Sequence, residues 1–182
     1  QDPPLQRITQ NDVDTIQKQQ DHNSLMSYRV TGGTVAERQL GAKWIEPVIG
    51  QRRTDEILVS PGAQSALAAI VSTHTQPGDI IVTDRIAYPG IRTIAAQFGL
   101  MLVGVDSDAE GMMPDQLDRV CSEHHPRLLY CIPTIHNPTT ATMSLQRRKD
   151  ILAVAQHHHL PIAEDDTYRW PMENPPPALA VP

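Results

Sequence analysis

Several features are scarce in this sequence, and each scarcity excludes something. Two cysteines, Cys121 and Cys131, make neither a metal-ligand spacing nor a disulfide framework, which leaves buried or idle thiols in a reducing compartment. Positive charge is in deficit: 15 Lys and Arg stand against 21 Asp and Glu, a formal net charge of −6. Such a chain has no electrostatic footprint for nucleic acid, so any DNA contact requires residues outside it. No apolar run approaches membrane-spanning length, and the opening Q-D-P-P-L-Q lacks a basic region followed by an apolar one, so a cytoplasmic location is expected. Aromatic residues make up only 4% of the chain. There is no internal repeat, and no G-x-G-x-x-G follows the first predicted strand, which argues against a nucleotide-binding Rossmann domain. An initial methionine is also lacking, and the end P-M-E-N-P-P-P-A-L-A-V-P is too rich in proline for a helix or inner strand; the chain reads as a fragment.

What is present is the composition of a soluble globular protein, 40% hydrophobic and 20% charged. Residues 1–27 read as a polar N-terminal arm, with one helix near Asp12 to Gln20, and residues 28–182 as the domain proper. After Gly32-Gly33 and a capping Thr34, a helical run places Val35, Leu40, Trp44 and Ile45 near one face, and Pro47 is expected to kink or end it. A regular alternation follows: strand 56–59, helix 64–75, strand 79–83, helix 90–98, strand 101–105, helix 114–123, strand 128–132, helix 144–159 and strand 161–164. Strand alternating with helix implies crossover connections and an α/β fold with a largely parallel, covered sheet. Ligands of such sheets bind beyond the carboxyl ends of the strands.

Four stretches place polar residues at that edge. Ser60-Pro61-Gly62-Ala63-Gln64-Ser65 joins a strand to a helix whose unpaired N–H groups and positive dipole end suit a phosphate, although such turns are also commonplace. Tyr88 falls just past a strand end, where its ring can stack on a planar ligand or simply pack on the sheet edge. Asn137-Pro138 forms a turn with an amide free for a ligand oxygen, while the neighbouring His136 reads as a surface or packed histidine. Finally, Glu164-Asp165-Asp166 places three carboxylates in a row at the end of an apolar strand, and their repulsion needs a cationic ligand group, a metal or an arginine. Mg²⁺ held by Asp165 and Asp166 is the rival reading there. The triplet His157-His158-His159 invites a metal too, but consecutive helical positions diverge by about 100°, so three adjacent histidines cannot chelate one ion and a solvated helix end is expected.

In their order and spacing, these stretches resemble the fold-type I pyridoxal-phosphate enzymes of the aminotransferase superfamily, class I/II, from about Tyr28 to the chain end. The resemblance implies the three-layer, largely parallel sheet of that family's large domain, truncated before the Schiff-base lysine and the small domain. It implies pyridoxal 5'-phosphate as cofactor, with Asp165 on the pyridine nitrogen and Asn137 and Tyr168 on the ring's phenolic oxygen. Tyr88 would stack on the ring and Gly62, Ala63 and Gln64 would form the phosphate cup, where Ala63 has only its N–H to offer. Tyr28 resembles the tyrosine that reaches a phosphate in the neighbouring subunit, which implies a homodimer. The family's lysine should follow the Asp-x-x-Tyr step, and none of Lys18, Lys43 or Lys149 matches its motif, so no catalytic residue is assigned in this chain and transamination by the chain as written is not expected.

The wording P-T-I-H-N-P-T-T-A-T-M-S and A-Y-P-G-I-R looks most like the MocR subgroup of GntR-type transcriptional regulators. There an aminotransferase-like domain follows a winged-helix domain and senses the cofactor or an amino compound. The alternative is a fragment of a class I/II aminotransferase that moves an amino group between an amino acid and a 2-oxo acid. Either reading implies an amino acid or amine as effector or substrate.

Overall fold

A computed structural model describes residues 32–170 and 172–180. The arm 1–27, its expected helix and Tyr28 lie outside the described residues. From there the chain runs α1 (Val35–Ile49), a single 3-10 turn (Thr54–Glu56), α2 (Ala63–His74), β1 (Ile80–Asp84), α3 (Pro89–Gln97) and β2 (Met101–Val105). It continues through β3 (Ser107–Asp108), β4 (Gly111–Met112), α4 (Pro114–His124), β5 (Leu128–Cys131), α5 (Leu145–His157) and β6 (Ile162–Glu164). Pro89 and Pro114 each open a helix, where their missing N–H is not needed.

Four strands pair in parallel in the order β2-β1-β5-β6, in register at Val82 with Val103, Val82 with Leu129, and Tyr130 with Ala163. The strand period of two sorts their side chains onto opposite faces. Val82, Leu129 and Cys131 meet Leu117, Val120 and Cys121 of α4 and Ile151 and Ala155 of α5. Ile81, Leu128, Tyr130 and Ala163 meet Leu67 and Val71 of α2 and Ile91 and Ile94 of α3. The result is the expected three-layer α/β arrangement, with both thiols buried and unpaired. Each fully buried aliphatic side chain in these layers contributes about 1.5–3 kcal/mol.

One expectation needs correction, and α1 adds two details. Residues 56–59 are not a strand: Glu56 closes the 3-10 turn, and the extended residues after it have no ladder, only the bond from Val59 N to Gly32 O at 2.7 Å. A strand needs a paired neighbouring strand, and among the described residues this segment has none. In α1, Pro47 sits inside the helix, which ends two residues later, where Gly50 at φ 73° closes it with its N–H on Glu46 O. Proline so close to the carboxyl end removes only one bond of the last turns. Lastly, Val35, Leu40 and Trp44 of that helix are exposed. Trp44 instead stacks on Trp170, ring centroids 4.0 Å apart and planes 18° from parallel.

The short antiparallel pair β3–β4 was not expected. Arg147 of α5 holds it, donating to the Asp108 carboxylate and to the carbonyls of Gly111 and Met112 at 2.8–3.1 Å. Ser144 caps α5 by accepting from Arg147 N, and donates to Glu110 at 2.6 Å. Among its described residues the proline-rich end has neither helix nor strand, but it is tied down. Arg148 and Arg169 donate to the carbonyls of Pro177 and Pro176, and Leu179 N donates to Glu164. No helix among the described residues is long and apolar enough to cross a membrane.

Candidate active site

The site lies beyond the carboxyl ends of β1, β5 and β6, where the parallel topology leaves loops free of sheet contacts. At its near wall is the start of α2. Gly62 takes φ 98°, a conformation that strains any residue with a Cβ, and no side chain caps the first turn. The uncapped N–H groups of that turn, with the positive end of the helix dipole, are therefore open to an anion.

Gln64 crosses to the second wall, its Nε2 donating to Tyr88 Oη at 2.7 Å. That bond depends on Gly90, because a Cβ there would collide with Gln64 Nε2 and the Tyr88 ring. The third wall is the loop after β5. His136 is buried and bridges outward from it, with Nδ1 at 2.8 Å from Thr139 Oγ1 and Nε2 at 3.5 Å from the buried Asp84 carboxylate. Burial raises the Asp84 carboxyl above the usual range, partly offset by the Ser107 hydroxyl at 2.7 Å and by His136. The packed reading of His136 holds. Next along the chain, Asn137 Nδ2 lies 3.4 Å from Tyr168 Oη, a weak contact between two side chains that both face the cavity.

The carboxylate triplet resolves into three environments. Glu164 lies 3.6 Å from the buried Arg148, and burial raises its pKa. Asp166 pairs with the buried Arg169. Asp165 has neutral donors instead: Tyr130 Oη at 2.9 Å and Thr167 Oγ1 at 2.7 Å. Burial raises the Tyr130 pKa far above its ordinary value, with the Asp165 charge adding to the effect, so the phenol keeps its proton and remains a donor. Among the described residues, no cation pairs with Asp165. The Mg²⁺ alternative loses support, because Asp166 is committed to Arg169.

Ala63, Gln64, Leu67, Tyr88, Ile132, Asn137, Asp165, Thr167 and Tyr168 line one cavity of about 90 Å³. Six of the residues expected from sequence thus converge. Gly62 borders a larger cavity of about 720 Å³ alongside, which shares Ala63, Leu67, Asp165 and Thr167 with the first. Lys43 and Lys149 sit on α1 and α5, and neither lines the cavity. Sequence reasoning missed Tyr130 and Thr167, which fix Asp165, and the apolar Leu67 and Ile132. The Asp-x-Thr spacing was the one local signal for Thr167; Tyr130 is 35 positions from Asp165 and gave none.

The chain is similar to known proteins of two kinds. A Bacillus subtilis protein described as an uncharacterized HTH-type transcriptional regulator, YdeF, is 32% identical over 162 residues, covering 89% of this chain and 35% of that protein. An aromatic amino acid aminotransferase of Schizosaccharomyces pombe is 35% identical over 119 residues, covering 62% and 25% respectively. Among solved structures, the alpha-aminoadipate aminotransferase LysN of Thermus thermophilus, complexed with N-(5'-phosphopyridoxyl)-L-leucine, superposes with a TM-score of 0.71 at 30% identity, covering 78% of this chain and 35% of that one. The chain therefore spans about a third or less of the length of these relatives. Residues 1–179 match the family described as aminotransferase class I and II. The chain belongs to that family.

Proposed function

We propose that this chain is a pyridoxal-phosphate-binding aminotransferase-like core that serves as the effector-sensing part of a MocR-type, GntR-family transcriptional regulator. The observation that carries the cofactor reading is Asp165, the one carboxylate of its triplet with neutral donors only, facing a cavity beside an uncapped helix start. These donors fit the group: an anion-accepting helix end, an aromatic ring, and a carboxylate suited to a protonated ring nitrogen. When bound, pyridoxal phosphate supplies an electron-accepting ring. In this reading Asp165 holds the proton at the ring nitrogen, and Tyr130 and Thr167 keep its carboxylate oriented. The N–H groups after Gly62, with Ala63 and Gln64, receive the phosphate. Tyr88 stacks on the ring, while Asn137 and Tyr168 meet its phenolic oxygen. Tyr28 is assigned to the phosphate of a partner subunit in a homodimer, and residues 1–27 to an arm packing elsewhere in the assembly.

The regulator reading is supported by the similarity to HTH-type regulators over most of this chain. An amino acid or amine would be the effector, and DNA would be contacted through a domain outside this chain. The second reading, part of a class I/II aminotransferase acting on an amino acid and a 2-oxo acid, is supported by the similarity to aromatic amino acid aminotransferases. Replacing Asp165 by Ala in the full-length protein is expected to abolish the visible absorption band of bound cofactor; an unchanged spectrum and affinity would sink the cofactor assignment. Effector-dependent operator binding without turnover supports the regulator, and amino transfer to a 2-oxo acid supports the enzyme.

A further inference from the structure

Histidines 74, 124, 125, 157, 158 and 159, six of the chain's eight, gather at helix carboxyl ends. This is the edge of the sheet opposite the cavity, beside the residues that lead into β5 and β6. We propose that Asp118, His157 and His158 of this cluster bind one divalent transition-metal ion of the zinc, nickel or copper kind.

Asp118 projects from α4, and the two histidines end α5. The helices are fixed to one another because Leu117, Cys121, Ile151 and Ala155 share one core on the same face of the sheet. Across that junction His158 Nε2 lies 2.7 Å from Asp118 Oδ1. The rings of His157 and His158 meet edge to face, centroids 4.8 Å apart and planes at 81°. One ligand atom from each of the three residues lies within 4.8 Å of the other two. Ligands on a tetrahedral ion with bonds of about 2.1 Å sit about 3.4 Å apart. The ion would part His158 from Asp118 slightly and draw the wider separations in, by side-chain rotations open to Asp118 and His157 because both are exposed.

The divergence of neighbouring helical positions forbids such a pair within a helix. Here the helix has already ended: His158 is the C-cap, at φ −92° and ψ 5°. His159, at φ 51°, is not a member of the group. Three adjacent histidines do not converge; two of them do, with a carboxylate from the next helix. Two imidazoles and one carboxylate suit zinc, nickel or copper rather than magnesium or calcium, and three protein ligands leave room for water. The bound ion would also cross-link α4 to α5.

The test is calorimetric titration of Zn²⁺ into the untagged full-length protein, alongside Asp118→Asn, His158→Ala and, as control, His125→Ala. One equivalent per chain is expected in the wild type and the control, weakened at least tenfold in the other two. Zn²⁺ should raise the melting temperature of the wild type but not of Asp118→Asn, whose exposed position leaves folding intact. Absence of a saturable equivalent, or equal binding by His158→Ala, overturns the proposal. So does loss in His125→Ala alone, which would place the ion in the neighbouring cavity lined by His74, His125 and His159.

Discussion

Tyr130 is a core residue by position and a site residue by its hydroxyl. Its ring fills the layer between the sheet and α2, while the oxygen donates to Asp165. Tyr130→Phe keeps the packing and removes the donor, so Asp165 is left with Thr167 alone. A hydrogen bond to a charged group contributes about 1.5–3 kcal/mol. The cofactor-free full-length protein is expected to lose stability of that order in urea unfolding, and its affinity for pyridoxal phosphate should fall in a direct titration. Retained affinity would mean that Thr167 orients the carboxylate unaided. Residues of this kind were not legible beforehand. Asp165, Asn137 and Tyr168 could be found because they stand at strand ends among turn residues, whereas Tyr130 sits inside an apolar strand and reads as packing. The fates of Glu164 and Asp166 were equally hidden, since Arg148 and Arg169 reach them only through the folding of α5 and the proline-rich end.

At the scale of elements, Ser144 joins two things that the sequence does not connect. It caps α5 and, through Glu110, anchors the turn between β3 and β4. Ser144→Ala should cost about 0.5–2 kcal/mol, the usual range for a lost N-cap. Hydrogen exchange should accelerate at the first turn of α5 and in the β3–β4 pair together; acceleration in α5 alone would show that the Glu110 contact carries no stability. The alternating elements from α2 to β6 were legible because each strand is a short apolar run and each helix opens at a proline, a glycine or a capping serine. The β3–β4 pair was not, since strands of two residues have no periodicity to read. The segment 56–59 has the pattern of a strand without the neighbour that makes one.

For the whole molecule, the carboxylates divide by burial into two groups with opposite effects on stability. Asp84 and Glu164 are raised by burial, so the folded chain holds those protons more tightly than the unfolded chain. Their contribution to stability is greatest in acid and falls as pH rises from the ordinary carboxylate range through the raised values. Asp108, lowered by its hydrogen bond to Arg147, acts in reverse: its contribution is lost as pH falls below the ordinary range, and its exposure keeps it small. Urea unfolding across the acidic range should show stability declining on the upper side, with Asp84→Asn flattening that decline. An unchanged slope would place the effect on Glu164. One last property comes from α1 and the end of the chain. The only two tryptophans of the sequence are stacked on each other, so all the indole absorption and emission arises from a single contact. Two transition dipoles that close couple as an exciton pair, and a paired signal of opposite signs in circular dichroism would vanish whenever α1 parts from the loop after β6. The molecule thus carries its own optical gauge of that junction, with no label added.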